Sequence, residues 1–142
     1  MIVVDSGVLI AAADVDDRHH VACSRLIEER GEGLIVPAGV VVEVCWMLGR
    51  HVSVDLEAAF LESIASGELR VESLQLADYR RSAELVAIYR DLPLGAVDAM
   101  VVATAERLRA TTVATIDHRH FSIVRPSHVP HFQLLPQVHT NT

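Results

Sequence analysis

The chain contains no lysine, and all twelve of its basic residues are arginine. Nineteen acidic residues outnumber them, which gives a formal net charge of −7. Overall electrostatic attraction therefore does not favour binding to nucleic acid, and any such partner needs a local site. The aromatic residues are only three Phe, two Tyr and one Trp, which argues against a platform that stacks nucleic-acid bases.

Several other features are scarce or missing. Cys23 and Cys45 are too few for a disulfide framework and form no C-x-x-C pair, so we expect two buried, reduced thiols. The chain begins with strand-like residues and no basic segment, so we expect no signal peptide. The longest apolar run, 34–48, is too short to span a bilayer. These absences predict a cytoplasmic protein with no membrane partner.

Known nucleotide and nucleophile motifs are also missing. The sequence has no G-x-x-x-x-G-K or G-x-G-x-x-G, which excludes the ordinary phosphate-binding loops. It has no G-x-S-x-G, so a serine nucleophile on a strand-to-helix turn is not supported.

What is present is an alternation of strand and helix patterns. Short β-branched or apolar runs predict strands at 2–4, 34–36, 69–73, 111–116 and 132–135. Apolar periodicity predicts helices at 8–13, 20–30, 39–48, 55–66, 77–90 and from Gly95 to Leu108. A loop is expected over 122–130 and a frayed tail over 136–142. The alternation predicts an α/β layered sheet with right-handed crossovers.

Four acidic residues occupy positions where acids are unusual. Asp5 and Asp117 directly follow predicted strands, Asp98 lies in the first turn of a helix, and Glu43 interrupts an apolar helix. Ligands of open parallel sheets bind beyond the carboxyl ends of the strands, so we expect these four carboxylates to meet there. Each also has a plain structural explanation: a helix cap, a turn, a helix-dipole contact or an arginine partner.

Four neighbouring carboxylates repel one another, and burial makes the repulsion worse. A hard divalent cation such as Mg²⁺ or Mn²⁺ removes this conflict and can activate water for attack at phosphorus. The acids therefore predict metal-dependent phosphodiester hydrolysis. A non-catalytic acidic module that binds metal or a partner, and a small-molecule phosphatase, stay open as alternatives.

Histidine pairs offer a second candidate metal site. His118 and His120 form an H-x-H, and His128 and His131 form an H-x-x-H. No cysteine lies near them to complete a zinc site, so we expect solvated loop histidines.

The acids also stand in short motifs with a particular order. These are Asp5-Ser6 after the first strand, Glu43 in an apolar helix, Pro93-Leu94-Gly95-x-x-Asp98-Ala99, and Thr115-Ile116-Asp117 with Phe121. With this order and spacing, residues 2–135 resemble the PIN-domain ribonucleases, in particular the VapC-type toxins of bacterial toxin–antitoxin pairs.

The resemblance implies a PIN-like three-layer sandwich, with a mostly parallel central sheet, helices on both faces and one domain over residues 1–135. It implies endonucleolytic cleavage of RNA that depends on Mg²⁺ or Mn²⁺. Attack by water on the phosphodiester would then leave a 3′-hydroxyl and a 5′-phosphate. It further implies inhibition by a small cognate antitoxin, and a homodimer.

By motif position, the resemblance implies that Asp5, Asp98 and Asp117 hold metal and that Glu43 is a direct or water-mediated ligand. Ser6 and Thr115 would supply hydroxyl groups that support these ligands.

Arginines near the acids are candidates for gripping RNA. Arg119 is nearest in sequence, and Arg80 and Arg81 are more distant candidates. The chain departs from the family pattern at Gly7, where many relatives have a small polar residue, and at His120, where some carry a further acid.

Overall fold

A computed structural model describes residues 1–137 of the chain. Five strands form one sheet in the order β3-β2-β1-β4-β5, and all four pairings are parallel. The strands are β1 (Ile2–Val4), β2 (Leu34–Pro37), β3 (Arg70–Glu72), β4 (Thr112–Ala114) and β5 (Gln133–Leu135). The predicted strands are thus all present, with β1 at the centre and the last one at an edge.

Seven α-helices and a short 3₁₀ turn at Gly31–Gly33 connect these strands. They are α1 (Ser6–Ala13), α2 (His20–Arg30), α3 (Ala38–His51), α4 (Val54–Ala65), α5 (Leu76–Ile88), α6 (Ala96–Leu108) and α7 (His118–Ile123). The chain runs outward from β1 to β3 and then crosses back to β4. Crossovers between parallel strands are almost always right-handed, so the two directions of travel put helices on both faces of the sheet. The parallel sheet with its connecting helices confirms the predicted α/β fold class.

Helix α7 and the end of β4 differ from the prediction. The predicted strand 111–116 ends at Ala114, and the predicted loop from Ser122 is wrong because α7 continues to Ile123. Six residues are too few to show apolar periodicity. The helix is held instead by the side chain of Asp117, which caps it, and by the fully buried ring of Phe121.

The position of α6 is fixed by its packing. Six of its residues are buried, and near its end Arg107 reaches two neighbouring elements. The Arg107 guanidinium lies 3.0 Å from Asp78 Oδ1 on α5 and 2.9 Å from Glu72 Oε1 on β3. This clamp fixes α6, whose first turn carries Asp98 at the carboxyl edge of the sheet.

The remaining predictions have mixed outcomes. Cys23 is a buried free thiol as expected, but Cys45 is only half-buried because it lies at the edge of the packed face of α3. No helix within residues 1–137 is both long and apolar enough to cross a membrane. The predicted frayed tail falls largely on residues 138–142, which lie outside the described part of the chain.

Candidate active site

Asp5 lies at the junction of the central strand and α1. Its backbone N–H donates to the carbonyl of Ala114 at 2.8 Å, which extends the ladder between β1 and β4 to the edge of the sheet. Its Oδ1 accepts from the backbone N–H of Ser6 at 2.8 Å, and its Oδ2 accepts from the Thr115 hydroxyl at 3.0 Å. Asp5 therefore caps α1 and also points a carboxylate into the acidic cluster.

Burial dominates the electrostatics of Asp5, which is 5% exposed. The pKa of Asp5 is raised from 3.8 to about 7, mainly by desolvation and in part by the nearby charges of Asp98 and Glu43. The hydrogen bonds from Ser6 and Thr115 oppose this rise without cancelling it. In the absence of a cation, the Asp5 carboxyl therefore keeps its proton to a higher pH than an ordinary aspartate does.

Glu43 reaches the same place from α3, which begins directly after β2. The Ser6 hydroxyl donates a short hydrogen bond to Glu43 Oε1. Ser6 thus joins two acids, because its backbone N–H binds Asp5 and its hydroxyl binds Glu43. The Ser6 hydroxyl therefore contacts one of the acids, as the family resemblance implies for a hydroxyl that supports the ligands.

Asp98 lies between the other acids. Burial raises its pKa, and the charges of Asp117 and Glu43 raise it further, while His120 partly offsets them. Thr115 connects this part of the cluster to Asp5, since its hydroxyl also accepts the backbone N–H of Asp117 at 2.9 Å. All four predicted acids therefore lie in one electrostatically coupled group at the carboxyl edge of the sheet.

His120 joins this group, contrary to the expectation of a solvated loop residue. Its ring Nδ1 lies 2.9 Å from Asp117 Oδ2 and 3.5 Å from Asp98 Oδ2. Possible ligand atoms of these three residues all lie within 4.8 Å of one another. The prediction failed because the position of His120 depends on α7, which the sequence pattern does not reveal. The first turn of α7 places His120 next to the acids.

Two other histidines are also more constrained than expected. His118 Nε2 lies 3.0 Å from the Thr115 carbonyl oxygen, and His128 Nε2 lies 2.6 Å from the Ala110 carbonyl oxygen. Both rings are half-buried, whereas His131 is exposed as predicted.

Gly7 has a packing reason to lack a side chain. A Cβ atom at this position would lie 2.7 Å from Cγ1 of Ile116, which is tighter than real contacts allow. A larger residue at Gly7 would therefore force the side chain of Ile116, which directly precedes Asp117, to shift.

The donor set fits a divalent cation. Carboxylate oxygens are the ligands that Mg²⁺ and Mn²⁺ prefer, and the raised pKa values of Asp5 and Asp98 show that the protein alone does not relieve their repulsion and burial. A cation bound here would favour the ionised carboxylates and offset their charge.

The candidate RNA-binding arginines differ in availability. Arg119 is exposed on α7, next to the acidic cluster, and Arg80 is exposed on α5. Arg81 is engaged elsewhere, with its Nε 2.7 Å from Glu106 Oε1 and a second ion pair to Glu84.

A separate concavity lies away from the acidic cluster. A cavity of about 1130 Å³ lies at the opposite edge of the sheet, lined by the starts of β1, β4 and β5 and by the end of α2. Its walls carry charges of both signs and no histidine or cysteine, so we place the chemistry at the acidic edge.

Comparisons with known proteins identify the family of the chain. The sequence profile of the PIN domain family matches residues 2–125. Ribonuclease VapC26 of Mycobacterium tuberculosis is 33% identical over 134 residues, which cover 94% of this chain and 99% of the relative.

Solved structures show the same fold. VapC20 of Mycobacterium tuberculosis, described as a toxin that cleaves the sarcin–ricin loop, superposes with a TM-score of 0.75 at 18% identity, over 80% of this chain and 87% of that one. VapBC2 of Rickettsia felis, bound to a DNA fragment from its promoter, gives 0.67 at 15% identity, over 94% and 98%. The chain therefore belongs to the PIN domain family and, within it, to the VapC ribonucleases.

Proposed function

We propose that this protein is the toxin of a toxin–antitoxin pair and cleaves RNA as a metal-dependent endoribonuclease. The observation that supports this most strongly is the meeting of Asp5, Glu43, Asp98 and Asp117 at one sheet edge in a chain of the VapC family.

We assign the residues roles by their contacts. Asp5, Asp98 and Asp117 would hold Mg²⁺ or Mn²⁺, with Glu43 as a direct or water-mediated ligand. When bound, the cation would polarise a water molecule for attack at phosphorus and would offset charge on the phosphodiester. Ser6 and Thr115 fix the carboxylates, since their hydroxyl groups bond to Glu43 and Asp5. Arg119, which is exposed beside the cluster, would contact the RNA backbone.

The products of the reaction separate this function from its alternatives. With Mg²⁺ or Mn²⁺, we expect internal cleavage of a labelled structured RNA that leaves 3′-hydroxyl and 5′-phosphate ends, because water would attack phosphorus directly. The ends are mapped by ligation and by phosphatase treatment. Rapid turnover of p-nitrophenyl phosphate with intact RNA would support the small-molecule phosphatase, and metal binding without either reaction would support the non-catalytic module.

The partner of the pair would be a small antitoxin. Both proteins would act in the cytoplasm, where the RNA substrate is found. An exposed apolar surface lies beside the acids and would receive it. Val42 is 71% exposed next to Glu43 on α3, Trp46 is 53% exposed one turn further, and Val54 on α4 is 71% exposed. A segment docked on this surface could reach the acidic cluster.

A second apolar surface supports a homodimer. Leu76, Tyr79 and Val86 recur along one face of α5 and are 88%, 52% and 37% exposed. We propose that two copies pair through this face.

Light scattering tests the pairing. The wild-type chain should have twice the protomer mass, and Tyr79→Arg should shift it to the monomer because a charge would be placed in an apolar contact. Val21→Arg is the matched control, since Val21 is 68% exposed on α2, away from this face. A dimer that survives Tyr79→Arg would place the interface elsewhere.

A further inference from the structure

We propose that His120 is a nitrogen ligand of the catalytic cation, placed beside Asp98 and Asp117, and that it makes the site prefer Mn²⁺ over Mg²⁺. This inference rests on the proposed function and extends it to the identity of the metal.

The spacing of the three ligand atoms suits one ion. His120 Nδ1 lies 2.9 Å from Asp117 Oδ2 and 3.5 Å from Asp98 Oδ2. Ligands bound at about 2.1 Å and at right angles to each other lie about 3.0 Å apart. The 2.9 Å separation matches neighbouring positions in one coordination sphere, and the 3.5 Å separation fits two positions at a wider angle in the same sphere.

The cap of α7 leaves the correct oxygen available. Asp117 Oδ1 accepts the backbone N–H of His120 at 3.1 Å, which starts the helix. Asp117 Oδ2 then faces the His120 ring. One helical turn thus presents two ligand atoms side by side, at positions i and i+3.

An ion pair between a protonated imidazole and the acids is the alternative. Such a pair would aim an N–H at one carboxylate, as buried charged donors do. His120 Nδ1 is instead buried without a well-directed hydrogen bond to any described residue, although two carboxylates lie close to it. A nitrogen that is shielded from water and lies within 3.5 Å of two carboxylate oxygens is suited to bind a cation together with them.

The nitrogen changes which metal is preferred. Mg²⁺ requires oxygen ligands in a nearly ideal octahedron, whereas transition metals accept imidazole more readily. A site with one imidazole and several carboxylates therefore favours Mn²⁺. Converting the imidazole to a carboxylate at this position should restore an all-oxygen site and return the advantage to Mg²⁺.

Pulsed electron paramagnetic resonance of the Mn²⁺-loaded protein tests the ligand directly, because a coordinated imidazole gives a ¹⁴N modulation of the manganese signal. We expect this modulation in the wild type and in His118→Gln, and its loss in His120→Asp. His118 is the matched control because its ring lies against the Thr115 carbonyl oxygen at 3.0 Å. Titration calorimetry should show the ratio of Mn²⁺ to Mg²⁺ affinity falling about tenfold or more in His120→Asp, the scale on which even outer partners of ligands act.

The results distinguish this inference from the function on which it rests. Absence of nitrogen modulation in the wild type, its persistence in His120→Asp, or failure of the wild type to bind Mn²⁺ would each overturn the proposed ligand. If RNA is still cleaved with added metal in the first two cases, the ribonuclease function stands and only the role of His120 is wrong. A nitrogen signal in a protein that cleaves no RNA would support the ligand and contradict the function.

Discussion

Asp98→Asn is expected to lower RNA cleavage by about a thousandfold or more, the scale seen when one member of a catalytic unit is removed. Asp98 is electrostatically coupled to Asp5, Asp117 and Glu43, so its carboxylate lies at the centre of the proposed metal site. An amide keeps the shape of the side chain but removes the charge and one strong oxygen ligand. The loss should appear in single-turnover cleavage of a labelled RNA.

The same substitution should not weaken the metal-free fold. Asp5 binds its proton more tightly in the folded chain, with a pKa of about 7 against an ordinary value of 3.8. The contribution of Asp5 to folding stability without metal is therefore full below about pH 4 and is lost as the pH rises through about 7. Asp98→Asn removes one cause of the raised pKa of Asp5, so the fall should be smaller in the variant.

Thermal melts in chelator between pH 4 and pH 8 check this result. Asp55→Asn is the control, because Asp55 also lies in the first turn of a helix but is exposed and outside the cluster. We expect Asp98→Asn to melt at or above the parent at pH 8. Melting well below the parent at every pH, with Asp55→Asn unchanged, would make Asp98 a structural residue.

The antitoxin is expected to lose about a hundredfold in affinity when one cationic side chain of its C-terminal segment is replaced by alanine. The cluster of Asp5, Glu43 and Asp98 is partly shielded from water, and cutting one partner of such a charge pair is costly. Arginine is favoured for this role because its planar fork engages two carboxylates at once. The exposed Val42 and Trp46 would bind the apolar residues around it.

Metal and antitoxin should then compete for the same acids. Isothermal titration with the cognate antitoxin, at increasing Mg²⁺ concentration, should show that its affinity falls as the metal concentration rises. The Asp5→Asn/Asp98→Asn double variant should bind the partner weakly, while Asp55→Asn should bind like the parent. Equal binding by the double variant, with no effect of metal, would place the inhibitor elsewhere.

The sequence predicts the sheet well because its strands are short apolar runs separated by clear stops. Asp5 and Glu43 can be recognised in the sequence as candidate site residues because an acid among apolar neighbours is unusual. The structure brings both residues to one edge of the sheet. Their catalytic roles stay predictions.

The parts that the sequence does not predict depend on tertiary contacts. Helix α7 is stable because Asp117 caps it and Phe121 is buried beneath it, and neither feature has a periodic pattern. His120 reaches the acids only through this helix, so its position could not be inferred from the H-x-H spacing. Proximity to Asp98 across the fold was the missing signal.

Cleavage of RNA by the isolated chain before and after removal of metal tests the central claim most directly. The protein is stripped with EDTA, assayed on a labelled RNA, and then titrated with Mg²⁺ or Mn²⁺ in excess over the chelator. If the acids at the carboxyl edge work through a bound cation, cleavage should stop in EDTA and return with either metal. Undiminished cleavage in excess EDTA would contradict the account.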